Sequence, residues 1–199
     1  MKFKQYIDES EQEFWDDVYS EGEQHWLDKK PSNLTRRVIT KYKKLGNVLE
    51  IGCAGGIDTV LLATVSTSII GIDLVKDAIK TAKSNLNKLD KTIKSKVSYE
   101  VGDAENLQFK DSQFDFVYSL SVLHSTDVTK SLSEVRRVLN DKGKAVIYVY
   151  IGDGKEVVNK KTFLATCKKY FTITDQNEIK LKDNNKDNHT ALIVYLEVV

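Results

Sequence analysis

A cluster of glycines directly after a short apolar run constrains the fold of this 199-residue chain more than any other feature. The run Asn47–Ile51 has the length and composition of a buried β-strand, and Gly52, Gly55 and Gly56 follow it. Glycines at such a place let the backbone turn sharply and come close to a ligand. The segment therefore predicts a strand, a ligand-binding turn and a helix that begins near Asp58.

Strands and helices are predicted to alternate along most of the chain. Apolar runs predict strands at 47–51, 68–73, 96–101, 114–120 and 144–151, and helical spacing predicts helices at 58–63, 74–89, 129–139 and 155–171. An earlier helix is predicted to begin after Pro31, with Ser32 as its cap, and to end at Gly46. This alternation predicts βαβ units and a mainly parallel sheet, with a ligand at the carboxyl ends of the strands.

The last part of the chain departs from the alternation. Strands are predicted at 171–177 and 190–199, and the polar stretch 182–188 between them is predicted to be a loop. Because no helix separates these two strands, we expect them to form an antiparallel pair at one edge of the sheet. Residues 140–143 are predicted to form a turn before the fifth strand.

The glycine segment does not fit the two common nucleotide-binding templates. A dinucleotide fold needs the pattern G-x-G-x-x-G, but Ala54 and Ile57 stand where its second and third glycines would be. The phosphate loop G-x-x-x-x-G-K-S/T fails because Ile57 and Asp58 occupy its Gly and Lys positions. A pyrophosphate or triphosphate ligand is therefore disfavoured.

An acid followed by spaced glycines does fit, and here the chain resembles the class I S-adenosylmethionine-dependent methyltransferases. Their first motif is commonly written D/E-x-G-x-G-x-G, which Glu50, Gly52 and Gly56 match. Ala54 replaces the central glycine, and we expect an alanine there to keep φ in the region that L-residues normally adopt. A solvated charge at the strand end is the alternative interpretation of Glu50.

The resemblance continues in the correct order along the chain. Asp73 and Leu74 end a segment similar to the second motif, and Asp73 follows Gly52 at the spacing of a ribose-binding acid, about 20 residues. A helix cap is the alternative for Asp73. Asp103 and Ala104 resemble the adenine-contacting segment, although a plain turn is the alternative for Asp103. Ser119, in the segment that resembles the fourth strand, is expected to touch the methionine part of the cofactor, as is its neighbour Leu120.

This resemblance implies a fold, a cofactor and a reaction. The fold is an α/β, Rossmann-like class I methyltransferase fold: a mostly parallel seven-stranded sheet with an antiparallel edge strand and helices on both faces. The cofactor is S-adenosylmethionine, no metal is expected, and the methyl group moves by in-line displacement to a small-molecule acceptor. The alternatives are a protein or RNA methyltransferase that works with a partner, and a cofactor-binding module without catalysis.

His124 is the candidate general base, because it follows the fourth strand, where the family's acceptor pocket usually opens. An unperturbed histidine has a pKa of about 6.5, which suits proton removal at pH 7. The alternative is a structural histidine that packs this loop. Tyr150 and Asp153, after the fifth strand, are further candidates for lining the pocket.

The first 45 residues are expected to form a helical lid, and residues 46–199 the cofactor-binding core of one domain. The aromatic residues Trp15, Tyr19 and Trp26 resemble the N-terminal region of small methyltransferases of the thiopurine and tellurite-resistance type. Tyr19 and Trp26 are accordingly expected to contact the cofactor, since aromatic walls suit a cationic sulfonium. Packing as part of the core is the alternative for Trp15.

Charge and composition argue against several classes of protein. Lys and Arg number 30 against 29 Asp and Glu, whereas nucleic-acid binders usually carry a clear basic excess. Two cysteines cannot build a disulfide scaffold, and no stretch approaches the ~18 consecutive apolar residues of a membrane span. We therefore expect a cytoplasmic protein, monomeric or homodimeric, that binds neither nucleic acid nor a membrane directly.

Overall fold

The computed structural model describes residues 30–152, 157–180 and 190–199. The helices of this part of the chain are α1 (Asn33–Lys41), α2 (Ile57–Ala63), α3 (Lys76–Asn87), α4 (Lys91–Lys94), α5 (Val128–Val138) and α6 (Lys160–Tyr170), with a short 3-10 helix at Leu123–Ser125. The strands are β1 (Gly46–Ile51), β2 (Ser66–Asp73), β3 (Val97–Val101), β4 (Phe114–Leu120), β5 (Leu139–Ile151), β6 (Phe171–Lys180) and β7 (Thr190–Val198).

The seven strands form one sheet in the order β3-β2-β1-β4-β5-β7-β6. Neighbouring strands from β3 to β5 pair in parallel, and β7 pairs antiparallel with both β5 and β6. The predicted mostly parallel sheet and its antiparallel edge are thus confirmed. Strand order reverses between β1 and β4, and in open α/β sheets the ligand crevice lies at such a reversal.

Each face of the sheet carries its own core. One face buries Leu49, Val117 and Ile147 together with Leu132 of α5 and Phe163 of α6. Burying a side chain of this size contributes roughly 1.5–3 kcal/mol relative to leaving it exposed. The strand side chains alternate between the two faces, as period-two geometry requires.

The opposite face packs against the helices from the first part of the chain. Val48 and Phe116 lie there with Val38 of α1, Leu62 of α2 and Ile79 of α3. Helix α1 is therefore part of the core, although it falls within the segment 1–45 that the sequence assigned to a lid. Residues 1–29 lie outside the described part of the chain.

Helix α1 does not extend to Gly46 as predicted. It ends at Lys41, where the amide of Tyr42 still donates to the carbonyl of Val38 at 2.8 Å. Gly46 instead begins β1 with φ 72°, and a Cβ there would lie 2.3 Å from Oδ2 of Asp115. The glycine is thus needed for a close approach at the strand start rather than for a helix end.

The predicted turn at 140–143 lies inside β5. Phe114 of β4 faces Leu139 and Phe116 faces Lys144, so the four residues 140–143 of β5 stand opposite a single residue of β4, at a register irregularity. The last helix begins at Lys160 rather than at 155, because Asn159 accepts from the amide of Thr162 and so caps it.

Helix α4 and the 3-10 helix were not predicted, because one helical turn is too short to show a periodic apolar pattern. The polar loop predicted at 182–188 lies outside the described residues. In the part of the chain that is described, every helix is too short or too polar to cross a membrane.

Candidate active site

The glycine turn after β1 is folded against the end of β2. The amides of Gly52 and Cys53 both donate to the carbonyl of Ile72, at 2.8 and 2.9 Å. Gly52 has φ 78°, which favours glycine, and a Cβ there would lie 2.1 Å from Cγ2 of Val122. Gly52 therefore lies directly against the turn that follows β4.

Gly56 ends the turn and precedes α2. Its φ is 80°, and a Cβ would lie 2.3 Å from the hydroxyl oxygen of Tyr99, which donates to the carbonyl of Gly56 at 3.1 Å. A larger residue would displace Tyr99 from this contact. Both glycines that match the family motif are thus required by backbone conformation and by close neighbours.

Ala54 has φ 44°, so the expectation that it keeps an ordinary L-residue conformation is wrong. Two hydrogen bonds fix the turn: Ala54 N–H donates to Oδ2 of Asp73 at 2.9 Å, and Gly56 N–H donates to the carbonyl of Cys53 at 2.8 Å. An L-residue in the left-handed region costs roughly 1–2 kcal/mol. The surrounding contacts hold the alanine in the conformation that the motif's glycine would adopt freely.

Asp73 ends β2 and uses both of its carboxylate oxygens. Oδ2 accepts from Ala54 N–H, and Oδ1 accepts from Val75 N–H at 3.0 Å. Burial raises the pKa of Asp73, and these backbone hydrogen bonds lower it in part. The N-cap of α3 is Val75, so Asp73 is not a simple helix cap. A carboxylate has about four acceptor positions, so Asp73 retains capacity for ribose hydroxyls beside half-buried Leu74.

Glu50 is a buried acid rather than a solvated charge at the strand end. It is only 3% exposed and lies between Gly71 of β2 and Tyr118 of β4 in the sheet register. Its Oε2 has no hydrogen-bond partner among the described residues. Burial raises the pKa of Glu50 well above its usual value, and the carboxylate of Asp58 raises it further. A buried acceptor of this kind suits a cationic group.

A polar network that the sequence did not predict joins α1 to α2. Ser32 N–H donates to Oδ1 of Asp58 at 2.8 Å, while Ser32 Oγ accepts from Thr35 N–H at 3.0 Å. The hydroxyls of Thr35 and Tyr118 are hydrogen bonded at 2.8 Å. Ser32 was expected as a helix cap, but nothing in the sequence pattern pairs it with Asp58, 26 residues later.

The turn after β3 lies beside Asp73. Gly102 N–H donates to the carbonyl of Asp73 at 3.0 Å. The exposed Asp103 accepts from Glu105 N–H at 2.8 Å, and Ala104 is buried. The structure therefore brings Asp103 and Ala104 to the ribose end of the predicted site, with Asp103 also serving as a turn residue.

Ser119 lies on the other face of the sheet from Glu50. It pairs with Ile51 and Ile147, both members of the core beneath α5 and α6, and it is completely buried. Its hydroxyl has no hydrogen-bond partner among the described residues. The structure therefore does not bring the Ser119 hydroxyl together with the Glu50 carboxylate.

His124 lies in the 3-10 helix after β4, next to Tyr150 of β5. Its ring meets that of Tyr150 edge-on at 4.9 Å, and Tyr150 meets Tyr148 at 5.6 Å. Burial lowers the pKa of His124 to about 4, so its expected value near 6.5 is wrong and the ring is neutral at pH 7. Nδ1 is buried without a hydrogen-bond partner in the described part of the chain.

Four predicted site residues lie outside the described residues: Trp15, Tyr19, Trp26 and Asp153. The described candidates cluster at the carboxyl ends of β1, β2, β3 and β4.

A family model for a methyltransferase domain matches residues 49–147, which span the glycine turn, Asp73 and His124. The chain belongs to the class I S-adenosylmethionine-dependent methyltransferases.

The chain resembles enzymes that have different activities. It is 30% identical over 131 residues to a tRNA U34 carboxymethyltransferase of Aliarcobacter butzleri, a match covering 64% of the chain and 42% of the relative. It is 34% identical over 110 residues to norajmaline N-methyltransferase of Rauvolfia serpentina, covering 54% of the chain and 37% of the relative. The matches thus span less than half of these relatives.

The same fold occurs in solved structures. The PH0226 protein of Pyrococcus horikoshii has a TM-score of 0.67 at 24% identity, and the match covers 83% of this chain and 88% of that chain. The likeness extends over most of both chains, and it supports the sheet topology described above.

Proposed function

We propose that this protein transfers the methyl group of S-adenosylmethionine to a small-molecule acceptor. One observation carries the proposal: the Asp73 carboxylate at the end of β2 is hydrogen bonded to the glycine turn after β1 through Ala54 N–H at 2.9 Å. This contact joins the two family motifs at the reversal of strand order. The buried Glu50 interacts electrostatically with Cys53 of the same turn, and its Oε2 has no hydrogen-bond partner among the described residues.

The residues of the site fit this cofactor. Bound S-adenosylmethionine supplies an activated methyl group on a sulfonium. Asp73 accepts hydrogen bonds from the ribose hydroxyls, and Glu50 receives the α-ammonium of the methionine end. Asp103 and Ala104 contact the adenine. Holding the acceptor in line with the methyl carbon supplies up to ~7–11 kcal/mol of the barrier reduction in well-positioned systems.

The acceptor binds beside His124, Tyr148 and Tyr150, where β4 and β5 end. Leu120 of β4 pairs with Tyr148, which supports a common edge for these aromatic rings. A neutral His124 with a pKa of about 4 is a weak base at pH 7. It therefore serves better to orient the acceptor, and an amine or thiolate needs little further help from a base.

In this proposal residues 1–199 form a single domain, and the segment before α1 acts as its lid. The support is the hydrogen bond from Ser32 N–H to Asp58, which holds the start of α1 against the first turn of α2. We keep the expectation that Tyr19 and Trp26, which lie outside the described residues, contact the cofactor.

An RNA acceptor is the second candidate. The similarity to a tRNA carboxymethyltransferase favours it, although that relative is more than twice as long as the matched region. The near-zero net charge makes unaided RNA binding weak, so this activity would need a partner.

A labelled-methyl assay distinguishes these functions. The protein is incubated with methyl-labelled S-adenosylmethionine and either a panel of small thiols, amines and phenols or total tRNA. We expect label in a small molecule and none with Asp73→Ala at the same cofactor concentration. Label in tRNA alone would favour the RNA activity, and cofactor binding without transfer to any acceptor would favour a non-catalytic module.

A further inference from the structure

Two side chains from outside the family motif hold backbone carbonyl groups of the glycine turn. Asn85, near the end of α3, donates from Nδ2 to the carbonyl of Gly55 at 3.1 Å. Tyr99 of β3 donates from its hydroxyl to the carbonyl of Gly56 at 3.1 Å. The turn is therefore held by hydrogen bonds from α3 and β3, in addition to the contact with Asp73 at the end of β2.

Asn85 lies on the inner row of α3. It follows the completely buried Ala78 and Ala82 by seven and three positions, a spacing that places the three side chains on one face of the helix. A polar amide on such a face needs hydrogen-bond partners. Oδ1 of Asn85 accepts from Nζ of Lys88 at 3.4 Å, so the NH₂ group of the same side chain faces the turn.

Tyr99 fills the space that two glycines leave open. Its side chain is only 3% exposed. A Cβ on Gly56 would lie 2.3 Å from the hydroxyl oxygen of Tyr99, and a Cβ on Gly71 would lie 2.8 Å from Cδ1 of its ring. The ring therefore has little room to move, and its hydroxyl is fixed at the carbonyl of Gly56.

Ala54 makes the turn depend on such support. Its φ of 44° lies in the left-handed region, which an alanine by itself populates roughly 5- to 30-fold less than its ordinary conformations. When only a fraction of a protein is in the binding-competent conformation, its affinity for a ligand falls by that fraction. Side chains that stabilise this conformation of the turn therefore raise the affinity for the ligand of the turn.

We propose that Asn85 and Tyr99 are positioning residues for the cofactor: they keep the turn that contains Ala54 in the conformation that binds S-adenosylmethionine. They act on the cofactor through the backbone of the turn. This inference rests on the proposed function and adds to its site two residues that the family motif does not include. The motif's central glycine would adopt the conformation freely, whereas Ala54 needs the two hydrogen bonds.

Calorimetric titration with S-adenosylmethionine compares Asn85→Ala with Asn87→Ala. Asn87 is exposed at the end of the same helix, so each variant replaces an asparagine of α3 with a better helix former. We expect Asn85→Ala to bind roughly 3- to 10-fold more weakly, which is the effect of one lost hydrogen bond, and Asn87→Ala to bind like the wild type. Tyr99→Phe keeps the ring and removes only the hydroxyl, and we expect a similar loss of affinity.

A combination with Ala54→Gly separates positioning from a purely structural role. Glycine enters the left-handed region without steric cost, so the turn then needs less support. In the Ala54→Gly background, Asn85→Ala should weaken cofactor binding by only about 2-fold or less. A residue that merely stabilises the fold would change urea unfolding, but the affinity of the folded variant would not respond to Ala54→Gly.

The outcomes separate this inference from the proposed function. Equal affinities of folded Asn85→Ala and Asn87→Ala overturn the inference and leave the function standing, provided that the wild type binds. A loss of the same size in the Ala54→Gly background also overturns it, because Asn85 then does not act through the conformation of the turn. If Asn85→Ala does not fold, Tyr99→Phe decides by the same two comparisons. If the wild type does not bind the cofactor, the proposed function fails and the inference falls with it.

Discussion

Ala54 and Asp73 join the two halves of the candidate cofactor site through one hydrogen bond of 2.9 Å. The donor is the backbone amide of an alanine at φ 44°, and the acceptor is a largely buried carboxylate at the end of the next strand. A change at either residue alters the position of the other. The turn and the acid therefore behave as one structural unit, which several variants can test.

Replacement of Ala54 tests the cost of its left-handed conformation. Ala54→Gly removes the strain but increases the freedom of the unfolded chain, so we expect it to be neutral or up to ~1 kcal/mol more stable. Ala54→Val should lose about 1–3 kcal/mol, since a β-branched residue fits this conformation poorly. Urea unfolding measures both. Equal stability of the valine and glycine variants would contradict the backbone assignment.

The buried His124 predicts a specific loss of stability in acid. Its folded pKa of about 4 lies below the unfolded value, so the unfolded state binds more protons between pH 6.5 and 4, and stability falls as pH falls through that range. Between pH 7 and 5 the wild type should lose about 2 kcal/mol more than His124→Gln. Urea unfolding at the two pH values measures this, and equal losses would contradict a buried neutral imidazole.

Arg137 holds the segment that follows Asp103 and Ala104. Its guanidinium donates to the carbonyls of Leu107 and Phe109 at 2.8 and 2.7 Å, and to Glu134 through two nitrogens. A lysine has a single ammonium group and cannot make this set of guanidinium hydrogen bonds. We therefore expect Arg137→Lys to lower the free energy of unfolding by about 2 kcal/mol.

The neighbouring Arg136 provides the control for that substitution. Among the described residues Arg136 forms no ion pair, whereas Arg137 pairs with Glu134, and Arg136→Lys should change stability by less than about 0.5 kcal/mol. Denaturant unfolding of the two lysine variants compares them directly. An equal loss of stability in both variants would show that the Arg137 guanidinium does not hold the segment that contains Leu107 and Phe109.

The strand and helix order followed from the sequence because apolar periodicity is a local property. Strand β4 at Phe114–Leu120 has the predicted bounds, and α5 at Val128–Val138 differs by one residue at each end. Errors arose where tertiary contacts decide the outcome. Gly46 begins a strand at a place where Asp115 leaves no room for a Cβ, and a sequence pattern contains no information on that neighbour.

The candidate site was predictable to the extent that a family motif marks it. Glu50 and Asp73 stand in that motif, but the burial of Glu50 depends on α1 and α2 packing over the sheet. Asp58 escaped prediction because its partner Ser32 is distant in sequence. The lowered pKa of His124 likewise follows from burial against Tyr150, which is a tertiary contact.

Calorimetric titration of Asp73→Ala with S-adenosylmethionine and with S-adenosylhomocysteine tests the central claim most directly. The wild type should bind both in the micromolar range. The variant should lose about 2–4 kcal/mol, roughly 30- to 1,000-fold in affinity, because charge-assisted hydrogen bonds disappear. Asp77→Ala removes an exposed carboxylate from the first turn of α3 and should bind like the wild type. Unchanged affinity in folded Asp73→Ala, or no binding by the wild type at millimolar ligand, would contradict the account.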